Sequence, residues 1–394
     1  MFIQKIRKFA AIILVAAMLV AGLAMTGSAS KIYEAPTAAE STDMQLDCKS
    51  AILMDAKTGA VLFEQNADEA LPPASVTKIM TLLLVMEAIE AGKIKLDDTV
   101  VTSSHAASMG GSQIYLKEGE QMSVEDMLKS VVISSANDAA CALAEFVSGS
   151  EEAFVRQMNE RAAELGMKNT TFENTNGLDD TSKNHLTSAR DIAVMSRELI
   201  KHEKILEYSS IWMDTVRGGT FGLTNTNRLV RFYRGCTGLK TGSTSKAGFC
   251  ISATAERDGV SLICVIMGAE TRDIRNGLAT RLLDYGFANY GMYSHTPKAL
   301  DNVKVTCGVK DSVKVGYDAF EMTVPKGDAA KISYKVELPE SLSAPIQKGD
   351  VVGSVVFTLD GKEIGRADVC AAEDVNKISF MELWLRILAK FLLK

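Results

Sequence analysis

The sequence predicts a mixed α/β (α+β) domain, followed by a small all-β module and a terminal amphipathic helix. Apolar strand-like runs stand at both ends of residues 48–292 with helical patterns between them, so the first and last elements should complete one sheet. Short alternating runs separated by turn residues fill residues 298–373. Residues 375–394 place a charged stripe on an otherwise apolar helix.

Local signals predict the elements of residues 48–292 in chain order. Two apolar runs around Asp55-Ala56-Lys57-Thr58-Gly59 predict a hairpin, and GFCISATAERDGVSLICVIMGA predicts two strands joined by an Asp-Gly turn. Apolar periodicity and cap residues predict helices between and after the strands. These helices cover residues 76–91, 123–147, 151–165, 185–201 and about 271–289.

The N-terminus predicts export. Basic residues within the first eight positions precede an apolar run from Phe9 to Met25, which ends in small residues. This pattern is typical of a secretory signal peptide over residues 1–30, cleaved after Ala29 or Ser30, and a retained membrane helix is the alternative. Either one places the rest of the chain outside the cytoplasm, after a polar linker at 31–47.

Charge and cysteine content exclude several functional classes. The net charge of −6 and the absence of a basic block argue against nucleic-acid binding. Seven cysteines without a C-x-x-C pair, and only four histidines, predict neither a zinc site nor another cofactor. Several of the cysteines lie in apolar strand-like runs and are predicted to be small core residues, although one disulfide stays possible on sequence alone.

The C-terminal helix has the composition of an interfacial anchor. Glu382, Arg386, Lys390 and Lys394 recur every four residues, and apolar side chains including Trp384 cover the remaining surface. The segment is too short and too charged to span a bilayer, but it is suited to lie in the interface of a membrane surface. The alternative is a helix that packs on the all-β module.

A serine and a lysine three residues apart form the first candidate catalytic motif, Ser75-Val76-Thr77-Lys78. A serine hydroxyl is a weak nucleophile and needs a base. Lys78 lies one helical turn after Ser75 and can serve as base only if burial or a nearby positive charge lowers its pKa. The start of the helix would add a positive dipole end at Ser75.

Two polar tripeptides supply the other parts of a possible active site. Ser135-Ala136-Asn137 interrupts a strongly apolar helical stretch, where serine and asparagine would otherwise be costly. Lys240-Thr241-Gly242 leads into a strand. There the lysine offers charge, the threonine offers a hydroxyl, and the glycine allows ligand and backbone to approach closely.

Each motif alone is weak because similar patterns recur. Ser28/Lys31 lies at the processing site, Lys57-Thr58-Gly59 at a hairpin tip, Ser182/Asn184 in a polar loop and Ser243/Lys246 beyond the start of a strand. Only the triple that begins at Ser75 has all three members in a suitable order and setting.

This triple is an established signature of the penicillin-interacting serine enzymes, and the chain resembles that superfamily. Within it, the chain resembles the D-alanyl-D-alanine carboxypeptidases, low-molecular-weight penicillin-binding proteins that trim peptidoglycan stem peptides. The resemblance extends over nearly the whole chain, including FENTNGL, HLTSARDIA, GLKTGSTSKAGFC and VIMGAETRDIR. It implies an antiparallel sheet flanked by helices and a C-terminal β-sandwich-like domain.

The resemblance also implies roles for the catalytic residues. Ser75 would be the acylated nucleophile, Lys78 its base, and Ser135 the relay that passes a proton to the departing D-alanine. Stem pentapeptides would be the substrates, and β-lactams would be covalent inhibitors. The enzyme would act at the outer face of the cytoplasmic membrane, held there by its C-terminal helix.

Further residues would bind the substrate. By the same resemblance, Asn137 would contact the substrate amide, Lys240 and Thr241 would line the carboxylate site, and Arg275 would bind the terminal carboxylate. Backbone N–H groups of Ser75 and Ser243 would form the oxyanion hole. Many family members have histidine at the position of Ser243, so an imidazole contribution is missing here.

Three alternatives stay open on sequence alone. An endopeptidase that cuts wall cross-links would carry the same motifs. A class A-like β-lactamase would need a carboxylate that activates water, and Glu173 lacks the expected E-x-x-x-N context. A catalytically silent wall-peptide binder would not need an intact Ser75, Lys78, Ser135 and Lys240.

Overall fold

The computed structural model describes residues 44–179 and 182–392. The predicted signal peptide and nearly all of the predicted linker therefore lie outside the described residues. All seven cysteines lie within them, and none of these cysteines is paired in a disulfide.

Strands and helices are numbered here in chain order. The strands are β1 (Ser50–Asp55), β2 (Val61–Gln65), β3 (Thr99–Val101), β4 (Gln121–Ser123), β5 (Met213–Val216), β6 (Phe221–Thr224), β7 (Cys236–Thr244), β8 (Gly248–Arg257), β9 (Val260–Ala269), β10 (Tyr290–His295), β11 (Val303–Thr306), β12 (Ser312–Val313), β13 (Val315–Tyr317), β14 (Phe320–Pro325), β15 (Ile332–Glu337), β16 (Ser341–Ser343), β17 (Val351–Leu359) and β18 (Lys362–Ala371). The helices are α1 (Lys78–Glu90), α2 (Ser104–Ala107), α3 (Val124–Ser134), α4 (Asn137–Ser148), α5 (Glu151–Glu164), α6 (Ala189–Leu199), α7 (Glu203–Ser209), α8 (Leu229–Phe232), α9 (Arg272–Asn289) and α10 (Phe380–Leu392).

The central sheet has five strands in the order β2-β1-β9-β8-β7, and every neighbouring pair is antiparallel. The N-terminal hairpin joins the late strands through β1 and β9, with Ile52 opposite Val265. The prediction that the first and last elements complete one sheet is confirmed. Strand β7 lies at the edge, so one side of its backbone is unpaired within this sheet.

The two faces of the sheet pack into separate cores. In β1, Ile52 and Met54 join the core formed with the buried helices, whereas Ala51 and Leu53 join the core formed with α9. Side chains alternate between the faces of a strand, and both faces here are covered. This is why β1 and β9 read as continuous apolar runs in the sequence rather than as alternating ones.

One helix boundary near the candidate catalytic motifs differs from the predicted one, and one helical pattern is broken at the tripeptide that predicted an interruption. A 3₁₀ turn, Ala74–Thr77, precedes α1, so the α-helix begins at Lys78 and not at Val76. The pattern over 123–147 divides at Ser135, whose φ of 63° ends α3 in a left-handed conformation. An α-helix cannot continue through such a residue, and α4 starts two residues later.

The all-β module follows α9. Strand β10 crosses the predicted domain boundary at residue 292 and pairs with β14 of the module. The module also contacts the tip of the β1–β2 hairpin, where the buried Thr323 hydroxyl donates to Asp55 Oδ2 at 2.6 Å. An ion pair between Lys57 and Glu321 lies beside this bond. The module is therefore attached to the sheet both by the chain and by side-chain contacts.

The terminal helix α10 begins later than the predicted residue 375. Lys377 bridges to Gly308, and the Ile378 N–H donates to the Cys307 carbonyl, so these residues extend the module instead. The apolar side chains of α10 are largely exposed, with Phe380 and Phe391 each 81% accessible. Among the described residues, no helix has the length and apolar character needed to cross a membrane.

Candidate active site

The candidate nucleophile lies in the 3₁₀ turn that leads into α1. Ala74, directly before Ser75, has a φ of 49°, an uncommon conformation for a residue with a side chain. Lys78 Nζ lies 2.9 Å from Ser75 Oγ and also donates to the Asn176 carbonyl at 2.8 Å. The second bond fixes the amine, so the serine and its candidate base are held at hydrogen-bonding distance.

Lys78 is fully buried, and its environment favours the neutral amine. Burial, and then the neighbouring charge of Lys240, lower the pKa of Lys78 well below its usual value, while Asp138 acts in the opposite direction. Desolvation penalises a buried ammonium because water no longer stabilises its charge. A catalytic lysine needs a lowered pKa, and Lys78 therefore meets this condition.

The break between α3 and α4 brings the second tripeptide to the same place. The left-handed Ser135 lines the cleft beside Ser75. Asn137 Nδ2 donates to the Gly110 carbonyl at 2.7 Å, which fixes the orientation of its amide. Its buried Oδ1 accepts no hydrogen bond from any described residue. Buried acceptors are rarely left unsatisfied, so this oxygen is a candidate contact for a ligand N–H.

Strand β7 places the third tripeptide against the nucleophile turn. A Cβ atom at Gly242 would lie 2.7 Å from Ser75 N, so only glycine allows this approach of the two backbones. The Thr241 hydroxyl donates to Thr226 Oγ1 at 2.8 Å, and the buried Lys240 Nζ donates to the Thr241 carbonyl at 2.9 Å. The edge of β7 thus forms one wall of the cleft.

Arg275 joins the site from helix α9. Its side chain is almost fully buried, donates to the Cys250 carbonyl and bonds the side-chain oxygen of Asn276. Burial, and the nearby guanidiniums of Arg272 and Arg228, lower the pKa of Arg275 to about 10, so it stays protonated at neutral pH.

These residues surround one cleft with a volume of about 550 Å³. The predicted site residues that line it are Ser75, Ser135, Thr241, Gly242, Ser243 and Arg275. The other three, Lys78, Asn137 and Lys240, are buried in its walls and are each at most 2% exposed. The structure therefore brings all nine predicted residues to a single place.

The loop after Phe172 also shapes the site, which the motif analysis did not predict. A Cβ atom at Gly177 would lie 1.9 Å from the Ala74 carbonyl oxygen, and Gly177 has a φ of +85°. The neighbouring Asn176 supplies the carbonyl that binds Lys78. The signal was present in the sequence as an Asn-Gly pair, a dipeptide typical of positive-φ turns.

A chain of hydrogen bonds through His185 supports the nucleophile turn. The Glu173 N–H donates to His185 Nδ1 at 3.0 Å, so Nε2 carries the proton and donates to Thr77 Oγ1 at 2.7 Å. The Thr77 hydroxyl in turn donates to the carbonyl of Ala74. Burial lowers the pKa of His185 to about 4, which keeps the ring neutral.

The residues of the similar sequence motifs elsewhere in the chain make contacts that stabilise local structure. Asp55 Oδ1 accepts bonds from the N–H and hydroxyl of Thr58, which makes Lys57-Thr58-Gly59 a hairpin turn as predicted. Lys246 is exposed and donates to the Asp179 carbonyl. Glu173 accepts the N–H groups of Lys183 and Asn184 with its carboxylate and does not line the cleft.

Among the described residues, one group of side chains could hold a metal ion. Ligand atoms of His105, Cys141 and Glu145 all lie within 4.8 Å of one another. His105 pairs with Glu151, and burial raises the pKa of the Cys141 thiol. None of these residues lines the cleft, so the group has no place in the chemistry derived from it.

The buried Lys240 allows a prediction about stability. Burial, and then Arg275, lower the pKa of Lys240 from 10.5 to about 7. Between these pH values the unfolded chain binds more protons, so this residue makes stability rise with pH, and its destabilising effect is largest below about pH 7. Lys240→Met should therefore stabilise the protein at pH 6, by up to about 5 kcal/mol at 1.4 kcal/mol per pKa unit.

The gain in stability from Lys240→Met should shrink as the pH approaches 10. Thermal unfolding at pH 6 and at about pH 10 measures it. Lys57→Met is the control, because Lys57 is a half-exposed surface lysine whose ion pair contributes little. A gain from Lys240→Met that is absent, or equal at both pH values, would contradict the sign of this effect.

The fold and the cleft define a serine enzyme of the acyl-transfer type, with a buried lysine amine beside its nucleophile. A model of the family described as D-alanyl-D-alanine carboxypeptidase matches residues 35–271. A second, described as the C-terminal domain of penicillin-binding protein 5, matches residues 292–377. The chain belongs to the D-alanyl-D-alanine carboxypeptidase family.

Individual relatives are similar to this chain over most of its length. It is 41% identical to D-alanyl-D-alanine carboxypeptidase DacF of Bacillus subtilis (strain 168) over 371 residues, covering 92% of this chain and 95% of that protein. The crystal structure of penicillin binding protein 5 from Haemophilus influenzae is 35% identical, with a TM-score of 0.73 over 85% of this chain and 99% of that one. Penicillin-binding protein D2 from Listeria monocytogenes, in its ampicillin-bound form, is 33% identical with a TM-score of 0.58, covering 62% of this chain and all of that one.

Proposed function

We propose that Ser75 carries out the family's carboxypeptidase reaction, with the neutral Lys78 amine as its base. Lys78 takes the hydroxyl proton, and Ser75 Oγ attacks the carbonyl between the last two D-alanines of a stem pentapeptide. Ser135 passes a proton to the departing D-alanine, and water then hydrolyses the acyl-serine ester. The observation that carries this proposal is the 2.9 Å contact of Ser75 Oγ with a buried amine.

The walls of the cleft support this reaction. Gly242 lies against Ser75 N, which would bring the N–H groups of Ser75 and Ser243 to one oxyanion. The unpaired edge of β7 offers backbone groups to an extended peptide, and Asn137 Oδ1 offers an acceptor to its amide. Lys240, Thr241 and Arg275 would bind the terminal carboxylate.

The same geometry favours a carboxypeptidase over a class A-like β-lactamase. None of the described residues that line the cleft is acidic, and the Glu173 carboxylate is engaged by loop N–H groups. The cleft therefore offers no carboxylate to activate a deacylating water. β-Lactams should acylate Ser75 and leave slowly, which makes them inhibitors.

The experiment measures D-alanine release from a synthetic stem pentapeptide, together with covalent labelling by a fluorescent penicillin. Both should be present in the unmodified protein and lost in Ser75→Ala. Ser333→Ala, in the all-β module, is the control and should retain both. Absence of both labelling and D-alanine release would favour a catalytically silent wall-peptide binder, and labelling that survives Ser75→Ala would remove Ser75 as nucleophile.

We also propose that α10 tethers the exported protein to the outer face of the cytoplasmic membrane. Its exposed apolar residues include Phe380, Trp384 and Phe391, of which Trp384 is 51% exposed. Burial of this apolar surface in the lipid interface would stabilise the attachment. Within the described part of this helix, Arg386 bonds to the module through Asp311 and the Val309 carbonyl.

Deletion of residues 380–394 should therefore release the mature protein from membranes. Sedimentation with membrane vesicles measures this, and D-alanine release from soluble pentapeptide should be unchanged, since the deletion starts after the last residue that pairs with the module. A truncated protein that is active and still sediments with membranes would refute the tether.

A further inference from the structure

The cleft is more positively charged than one terminal carboxylate requires. Besides Arg275, the guanidiniums of Arg228 and Arg272 line it. None of the described lining residues is acidic, so this charge has no counterpart in the wall.

Arg228 and Arg272 differ from Arg275 in their bonding. Arg275 is buried and bonds Cys250 and Asn276, whereas the other two are exposed, and their guanidiniums make no hydrogen bond or ion pair with any residue the structure describes. Both lie close enough to Arg275 to affect its charge, because Arg228 and Arg272 each lower the pKa of Arg275. A lone carboxylate at Arg275 would neutralise only one of these charges.

The position of Arg272 is also unfavourable unless an anion is present. Arg272 is the first residue of α9, and Arg275 lies in the same turn. The N-terminus of a helix carries a partial positive charge, so basic residues there are repelled while an anion is attracted. Asp273 in this turn offsets part of the repulsion, but it does not line the cleft.

Two aromatic side chains border the same region. Trp212 and Phe232 meet edge to face with ring centroids 6.2 Å apart, and both line the cleft. Phe232 is 73% exposed, although large apolar side chains are usually covered. An aromatic surface beside unpaired guanidiniums suits a peptide that carries a carboxylate.

We infer that Arg228 and Arg272 form a second anion subsite, which binds a carboxylate of a peptide leaving group larger than free D-alanine. The inference rests on the proposed function and deepens it. The substrate class is a cross-linked pair of stem peptides, in which the D-alanyl carbonyl is joined to an amine of a second, acidic stem.

The chemistry is the same as for the pentapeptide. Ser75 Oγ forms the ester as the bond from the carbonyl to the second stem's amine breaks, and that amine receives the proton. Water then releases the first stem as a free carboxylate. The carboxylate next to the departing amine of the second stem would bind Arg275. A further carboxylate of the same stem would then lie at Arg228 and Arg272.

The experiment uses the full mature protein in detergent and two substrates: a stem pentapeptide, and a cross-linked dimer of stem tetrapeptides whose separation is followed by chromatography. The variants are Arg228→Gln, Arg272→Gln and both together. Arg281→Gln is the matched control, because Arg281 is an exposed arginine on the same helix and does not line the cleft.

The double variant should lower kcat/KM for the dimer by at least about tenfold, mainly through KM, and leave D-alanine release within about twofold. A dimer whose second stem keeps the carboxylate next to the departing amine, but is amidated at its other carboxylates, should lose a similar factor with the unmodified protein and should not respond to the substitutions. Arg281→Gln should change neither activity.

Three results would overturn the inference. A dimer that is not cleaved while D-alanine is released would refute the subsite and leave the proposed function intact. Equal losses for both substrates would assign the two arginines to general structure or to the terminal carboxylate. An amidated dimer that the unmodified protein cleaves as fast as the carboxylate form would exclude charge recognition. Failure to release D-alanine or bind penicillin would instead refute the proposed function itself.

Discussion

Replacing Lys78 by alanine is expected to lower the rate of Ser75 acylation by about 10²- to 10⁴-fold, the contribution typical of a positioned general base. The amine lies 2.9 Å from Ser75 Oγ, and burial lowers its pKa, which favours the neutral form. No acidic side chain among the described lining residues could replace it. Stopped-flow or gel-based labelling with a fluorescent penicillin measures the rate, and circular dichroism shows whether the variant is folded.

Lys246→Ala is the matched control for this prediction. Lys246 ends the Ser243–Lys246 pattern, which has the same spacing, but its amine binds the Asp179 carbonyl at the surface. Labelling should therefore continue at the unmodified rate. If a folded Lys78→Ala protein were labelled as fast as the unmodified one, Lys78 would not be the base.

Gly177→Ala is expected to destabilise the protein by roughly 2–6 kcal/mol and to abolish acylation. The new Cβ would lie 1.9 Å from the Ala74 carbonyl oxygen, on a residue whose φ of +85° already disfavours any side chain. Overpacking and positive φ each cost roughly 1–3 kcal/mol. Since Ala74 precedes Ser75, any shift that relieves the clash moves the nucleophile. Chemical denaturation and penicillin labelling measure the two effects.

Gly149→Ala separates the two causes. Gly149 has a φ of +83°, close to that of Gly177, but a Cβ atom there would meet nothing within 4 Å. Only the cost of positive φ should remain, about 1–3 kcal/mol, and labelling should be unchanged. Equal effects of the two substitutions would show that contact with Ala74 is unimportant.

Sequence reasoning succeeded where one residue type answers one physical need. The interruption of an apolar helix by Ser135 and Asn137 predicted a break, and the φ of 63° at Ser135 forms it. Glycine in the third motif predicted close approach, and Gly242 lies against Ser75 N. The apolar runs at both ends predicted a shared sheet, which β1 and β9 complete.

It was less successful where the contact depends on distant parts of the chain. The carbonyl of Asn176 binds Lys78 from 98 positions away, and His185 reaches Thr77 across 108 positions. No local pattern encodes such a pairing. The helix boundary at Lys78 was missed because a 3₁₀ turn and an α-helix have nearly the same apolar spacing. The start of α10 was missed because residues 377–378 pair with another strand region.

The attachment of the all-β module has a consequence for how far the enzyme can reach. The Asp55–Thr323 bond and the pairing of β10 with β14 leave little freedom for a hinge between the module and the sheet. Only Ser379 separates α10 from Ile378, whose backbone N–H donates to the module. With the helix in the lipid, the distance of the active site from the bilayer would be fixed. The protein would then process only those wall strands that pass at that distance.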